Sequence, residues 1–259
     1  MLFNQTTFLG IDPTAGKRPL TYTALNQDLN ILAINHGSLE EVMAFIAGQT
    51  AAIIAICSPS QPNLRLMQRE EIRQKLIPPP RPGRWMNYRV AEYQLRRRHI
   101  NIPYTPSEEN DCPRWMQTGF KIFRRLKKMG YKPFPSDDGA NQYLEVYPHA
   151  SYTALLEKNP YPKNSIEGRL QRQLVLIEND INVTDPMRFL EEITRHRLLT
   201  GTLPLDFILS SEELDALVAA FTAWRVINKP EKTTCVGDAQ EGQVFIPVAE
   251  LKTRYQSVK

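Results

Sequence analysis

The chain has 259 residues, 42% of them hydrophobic, with three cysteines, four histidines and a net charge of +4. This size buries roughly 70–75% of its unfolded surface and needs no covalent staples, which excludes a wholly disordered chain. The spacing of Cys57, Cys112 and Cys235 excludes a Cys-x-x-Cys site. No apolar run nears the roughly 20 residues that span a bilayer, and the opening MLFNQTTFLGID lacks a secretory pattern, so the expectation is a cytoplasmic protein with no membrane partner.

Thr7 to Ile11 reads as a β-branched and aromatic strand stopping at Asp12-Pro13. Thr21 to Leu25 and Asn30 to Ile34 suit two more strands around an Asn26-Gln27-Asp28 turn. Ser38 and Glu41 make a capping-box pattern for a helix with Val42, Phe45 and Ile46 on its apolar side, and Gly48 stops it. Ala51 to Ile56 is continuously apolar, like a central strand covered on both faces.

Residues 63 to 139 differ in character, with Pro78 to Pro80 breaking any helix. Helices are expected over Tyr88 to Arg98 and Trp115 to Met129, and the stretch reads as a basic helical insertion or lid. Residues 65 to 132 carry 17 Lys or Arg against 6 Asp or Glu, a net +11, which leaves −7 on the rest. Such a layout steers an anionic partner. Nucleic acid is the first candidate, although basic helices also simply face water. Trp85, Tyr88, Tyr93, Tyr104 and Trp115 interleave with the arginines and suit either base stacking or packing.

Tyr143 to Tyr147 reads as a strand with Tyr143, Glu145 and Tyr147 on one face and Leu144 and Val146 on the other. Helices follow at Ser151 to Lys158 and Ile166 to Glu178, and Asp185-Pro186 looks like a helix start. Ser210 and Glu213 form a second capping box before an alanine-rich helix, and Gln243 to Val248 is the last strand. The whole reads as one mixed α/β domain over residues 1–259.

Three acids are singled out. Asp12 sits where a strand ends, on the strand face of Phe8 and Gly10. A carboxylate there suits a hard cation or a turn cap, and Gly10 leaves room for a ligand or a crossing helix. Glu145 lies within an apolar strand, which costs free energy unless the charge is paired or ligated; the other reading is an exposed edge strand. Asp215 follows a helix start, where acids are ordinary. Together they suggest a cluster holding two divalent ions that activate water against a phosphate ester. His149 lies just past the Glu145 strand and is a candidate for proton transfer. Gly10 to Arg18 resembles a phosphate loop only superficially, because Arg18 stands where GxxxxGK[ST] needs a hydroxyl.

The order FLGID (8–12), AAIIAICSP (51–59), YRVAEYQLRRRHI (88–100), WMQTGFKIFRRLKKMGY (115–131), LEVYPHA (144–150), EGRLQRQLVLI (167–177), ELDALVAAFTAWR (213–225) and GQVFIPV (242–248) resembles the DUF429 proteins over nearly the whole chain. The resemblance implies a ribonuclease H-like mixed sheet flanked by helices. It also implies a Mg²⁺- or Mn²⁺-dependent nuclease with Asp12, Glu145 and Asp215 as catalytic metal ligands. It extends to Arg89, Arg96, Arg169 and Arg172, candidates for substrate binding. One departure stands out: the family's strand ends Ile-Asp-Ala-Pro, where this chain has Ile56-Cys57-Ser58-Pro59. A thiolate ligates Mg²⁺ poorly, so Cys57 reads as a degenerate acid position, or simply as a buried structural thiol. The alternatives to hydrolysis are a noncatalytic nucleic-acid or nucleotide-binding protein and a structural or partner-binding one.

Overall fold

A computed structural model of the chain describes residues 6–14, 18–137 and 139–256, apart from the Arg84 side chain. Gly16 and Lys17 of the phosphate-loop-like stretch lie outside these residues. Strands Thr7–Asp12 (β1), Leu20–Leu25 (β2) and Ile31–Gly37 (β3) form an antiparallel meander. The Asn26 side chain closes the β2–β3 turn by accepting from the backbone N–H groups of Asp28 and Asn30. Helix Leu39–Ala47 (α1) starts on the Ser38/Glu41 capping box, worth about 1 kcal/mol, and ends at Gly48. Strand Ala52–Ile56 (β4) then returns parallel to β1.

The basic stretch holds helices Glu70–Gln74 (α2), Val90–Arg97 (α3) and Arg114–Lys128 (α4), and the short strand Lys132–Pro133 (β5). Strand Gln142–Val146 (β6) follows, parallel to β4. Helix Pro148–Leu156 (α5) starts three residues before the expected Ser151, because Pro148 occupies the first turn, where its missing N–H costs nothing. Helices Ile166–Ile177 (α6), Arg188–Glu191 (α7) and Arg195–Thr200 (α8) lead to Ser211–Asn228 (α9), which opens on the Ser210/Glu213 capping box. Asp185 does not cap a helix directly; its side chain accepts from Met187 N–H, and α7 begins at Arg188. Strands Thr234–Asp238 (β7) and Gly242–Ile246 (β8) close the chain as a hairpin, of which β7 is not anticipated from sequence.

Among the described residues these strands form one mixed sheet, in the order β3-β2-β1-β4-β6-β8-β7, with β5 beside the start of β6. The fold is mixed α/β, with helices on both faces. Phe8, Leu25, Ile53, Ala55, Leu144 and Val146 face α9 and, beyond it, Tyr152 and Leu176 of α5 and α6. Leu9, Ile11, Ile54 and Ile56 face Val42, Met43 and Ile46 of α1 and Ile122, Phe123 and Leu126 of α4. The basic stretch is therefore not a lid. Parallel strands cannot be joined by a tight turn, and α4 lies in the β4–β6 crossover and supplies half the covering of the second face. Helix α3 likewise packs Ala91 and Leu95 against Val236, Val244 and Ile246 at the β7–β8 end.

Helix α9 is buried around most of its circumference, as a helix between a sheet and other helices must be. It crosses β1 at Gly10, where an added Cβ would lie 1.9 Å from the Ala216 carbonyl oxygen and 2.5 Å from the Ala220 nitrogen. The space beside Gly10 thus serves a crossing helix. Gly10→Ala should force α9 off the sheet and cost about 3 kcal/mol in urea unfolding, the upper range for overpacking. Gly48→Ala, whose nearest contact is an ordinary 3.5 Å, should change stability by less than about 0.5 kcal/mol.

Candidate functional site

Strand register decides which acids meet. Gly10 pairs with Ala55 and Ile11 with Ile56 across β1 and β4, and Cys57 N–H donates to Ile11 C=O at 2.9 Å. Asp12 and Cys57 are therefore neighbours on the face that carries α9. Asp215, one residue before the Ala216 turn that crosses Gly10, reaches the same place from above. Asp12, Cys57 and Asp215 line one open cleft of about 1200 Å³ at the carboxyl ends of β1 and β4, the usual ligand position of an open α/β sheet.

The two aspartates sense each other. Burial raises the Asp12 carboxyl well above its ordinary range, and the Asp215 charge adds to the rise. Burial raises Asp215 too, against the pull of Lys163. The Lys163 ammonium lies 2.9 Å from Asp215 Oδ2. Burial works against its charge, but Asp215 outweighs that and keeps the group protonated. Asp12 Oδ1 also accepts from Thr14 N–H at 2.9 Å, so the turn-capping role and membership of the cleft coexist. Lys163 carries no pattern in the sequence and was not singled out there.

Glu145 does not join them. It pairs with Ile56 in register, which places it on the opposite face of the sheet. Its two carboxylate oxygens accept from Arg89 Nη2 at 3.1 and 3.0 Å, and Oε1 also accepts from Ser60 N–H at 2.8 Å. Both side chains are buried. Arg89 also donates to the Glu241 carbonyl. Burial opposes the Arg89 charge, but Glu145, Glu92 and Glu241 outweigh it. Of the two readings left open for this acid, pairing holds. The expected three-carboxylate cluster is not formed, and among the described residues no three His, Cys, Asp or Glu side chains are grouped to hold a metal.

The other candidate arginines brace the fold. Arg96 donates to Ile102 C=O and lies over the Tyr88 ring. Arg169 donates to Leu209 and Ile208 C=O. Arg172 donates to Tyr161 and Gly168 C=O, but it lines the cleft and its buried Nε has no protein partner. The basic insertion does not bring its charge to the cleft lining: among the described residues, 65–132 contribute only His99, Asn101, Pro103 and Trp115, with no lysine or arginine. Trp85, Tyr88, Tyr93 and Tyr104 pack with one another in tilted and edge-on pairs away from the cleft.

The DUF429 family model, described as a protein of unknown function, matches residues 10–241. The chain belongs to the DUF429 family. No curated protein and no solved structure matches it.

In this DUF429 chain the Cys57 thiol donates to the Asp215 carbonyl at 3.6 Å. Burial, then Asp12 and Asp215, push its ionisation well up, which favours the neutral thiol. It packs in the core under α9 while touching the cleft. His149 also lines the cleft. Burial, Arg172 and Lys163 lower it to about 4, so the ring is neutral at pH 7 and offers hydrogen bonds without a standing charge. At the heart of the cleft the arrangement sets Asp12 and Asp215 beside the Lys163 ammonium, with the neutral His149 imidazole on the same lining.

Two measurements check these assignments. Arg89→Met should cost about 3–5 kcal/mol by stranding buried Glu145, and Glu145→Leu should cost less in that background than alone. Additive costs in the cycle would deny the ion pair. The His149 ring proton should titrate by NMR near 4. The unfolded chain takes up that proton from pH 6.5 downward and the folded chain only near 4. This group's contribution to stability is therefore intact above pH 6.5 and lost as pH falls toward 4.

Proposed function

We propose that this cleft is a divalent-cation-dependent phosphodiester hydrolase site, with Asp12 and Asp215 holding one Mg²⁺ or Mn²⁺. The observation that carries the reading is the meeting of two partly desolvated carboxylates, at a strand end and a helix start, on one open cleft with the Lys163 ammonium 2.9 Å from Asp215. Mg²⁺ takes oxygen ligands and is held by one or two carboxylates plus water and substrate phosphate. The donor set fits that mode and does not fit a closed zinc site. A meander followed by parallel β4, β6 and β8, with acids at the ends of β1 and the start of α9, supports a ribonuclease H-like reading of the fold, now with two acids in place of three.

When bound, the cation supplies Lewis-acid stabilisation of phosphate charge and a more acidic water. The residues do the rest. Lys163 has three donors, one on Asp215, and offers the others to a phosphate oxygen. The first turn of α9, at Ser211 and Glu212, adds the partial positive charge of a helix start. In the hydrolysis a water oxygen–phosphorus bond forms, the phosphorus–alcohol bond breaks, and a water proton ends on the leaving alcohol.

A second reading, noncatalytic nucleotide binding, is favoured by Lys163, which already neutralises Asp215, and by the neutral thiol at the degenerate acid position. Calorimetric Mn²⁺ titration separates the two. Wild type should bind one ion. Asp12→Asn and Asp215→Asn should each weaken binding about tenfold or more, roughly 1.4 kcal/mol. Glu145→Gln should leave the affinity of the folded protein unchanged. Lys163→Met should tighten it by removing a competing cation, and Cys57→Asp by adding an oxygen ligand. Mn²⁺-dependent cleavage of bis(p-nitrophenyl) phosphate should fall about 10²-fold or more in Asp12→Asn. Absence of Mn²⁺ binding would leave the noncatalytic reading.

A further inference from the structure

The charge in the cleft restricts what can enter it. Among the described residues its lining carries three cations, Arg18, Lys163 and Arg172, and three carboxylates, Asp12, Glu212 and Asp215. The formal sum is zero. Two of the cations are already paired, Arg18 with Glu212 at 3.0 Å and Lys163 with Asp215 at 2.9 Å. A polynucleotide needs a basic track that neutralises several successive phosphates. The chain has cations for such a track, but the basic run places them elsewhere. Arg124 and Arg125 pair with Glu109 and Glu40. Arg97 donates to Ile77 C=O. Arg89 lies in its carboxylate cluster behind the sheet.

What the cleft has in place of a track is aromatic surface. Trp115 and Tyr147 are partly buried in its wall, Tyr161 is 42% exposed, and the His99 ring completes the rim. Flat side chains with π-faces stack on heteroaromatic rings at about 1–3 kcal/mol each. Asn101 and Asn164 also line the cleft, and an amide matches the donor and acceptor pairs on a base edge. The volume, about 1200 Å³, suits one ligand of drug size or a little more.

Resting on the phosphoryl-transfer reading above, we infer that the substrate is a small nucleotide, a mononucleotide ester or a dinucleotide, and not a polynucleotide. One or two phosphates sit at the acid pair with its cation, and the base stacks against the Trp115 side of the cleft. Extending the strand adds nothing, because among the described residues no basic surface in the cleft receives the next phosphate.

Calorimetry on the full chain with Mn²⁺ tests this, using inorganic phosphate, ribose 5-phosphate, adenosine 5′-monophosphate and a 12-nucleotide phosphorothioate single strand as probes. The mononucleotide should bind within about threefold of the 12-mer and at least tenfold tighter than ribose 5-phosphate. Its salt dependence should match one or two phosphates, at about 0.7 log units of affinity per log unit of salt for each. Trp115→Leu should remove the tenfold preference and leave the affinity for inorganic phosphate unchanged. Because Trp115 also packs near Met116 and Phe120, the wild-type ligand series stands without that variant. A 12-mer that binds 30-fold tighter with a slope of several units overturns the inference and leaves the hydrolase reading standing. Equal binding of ribose 5-phosphate and the mononucleotide does the same. If no probe binds, inorganic phosphate included, the phosphoryl reading itself falls.

Discussion

The close crossing of α9 over β1 is the constraint on which the rest depends. Gly10 has no side chain, and the helix presents Ala216 and Ala220 to it, so backbone meets backbone. That contact fixes both the height and the rotation of α9. Asp12 follows Gly10 by two residues on the same strand face, and Asp215 precedes Ala216 by one. A contact made for packing therefore brings two acids from distant parts of the chain to one cleft. Their electrostatics follow from the same closeness, since burial raises both carboxyls and the Asp215 charge raises Asp12 further. A cation relieves both terms. Lys163 hydrogen-bonds Asp215 and lowers Asp12 only through space, so Asp12 keeps its carboxyl raised.

Burial also explains why a strongly basic segment does not make a basic cleft. A guanidinium keeps its charge when it donates to a carbonyl, but its donors are committed and its position is fixed. Arg73 holds Met67 and Gln68 C=O, and Arg96 holds Ile102 C=O. These residues stabilise irregular backbone between short helices, where many carbonyls lack secondary-structure partners. Arginine suits that task because it has five donors in a planar fork. Net charge along a sequence thus reports on steering only after its donors have been assigned.

Local features were legible in the sequence because their causes are local. A β-branched and aromatic run located β1, a continuously apolar run β4 and alternation β6, and Ser-x-x-Glu located the starts of α1 and α9. The amphipathic spacing of Phe120, Phe123 and Leu126 gave α4 as a helix, but not as the second covering layer, which depends on β4 and β6 being parallel neighbours. Alternation also gave the parity of Glu145 within β6. Its parity relative to Asp12 needs two register relations, Ile11 with Ile56 and Ile56 with Glu145, and those are properties of the assembled sheet. Lys163 sits in a loop without periodicity, so nothing in the sequence distinguishes it from any surface lysine. Strand β7 contains Gly237, whose φ of +114° and close contact with Gly242 suit a twisted hairpin and dilute the strand signal.

The position of Glu145 shows that a buried acid can be required by geometry without touching a ligand. Its oxygens serve Arg89 and Ser60 N–H together. Glu92 serves Arg89 N–H and Thr105 N–H, and Glu241 serves Leu64 N–H and Val90 N–H. A glutamine in any of these places would turn an NH₂ toward a donor, so only a carboxylate satisfies both sides. The three acids, with Arg89 among them, tie the segment after β4, the start of α3 and the approach to α4 into one unit. Gly242 leaves the room, since a Cβ there would lie 2.1 Å from Glu145 Oε1 and 2.3 Å from Arg89 Nη2. Cys57, Pro103, Trp115 and Tyr147 line both the small cavity beside this unit and the open cleft. The wall that faces the aspartate pair is therefore held by charges on the far side of the sheet. Acids on one face line the cleft, and acids on the other hold the shape of its wall.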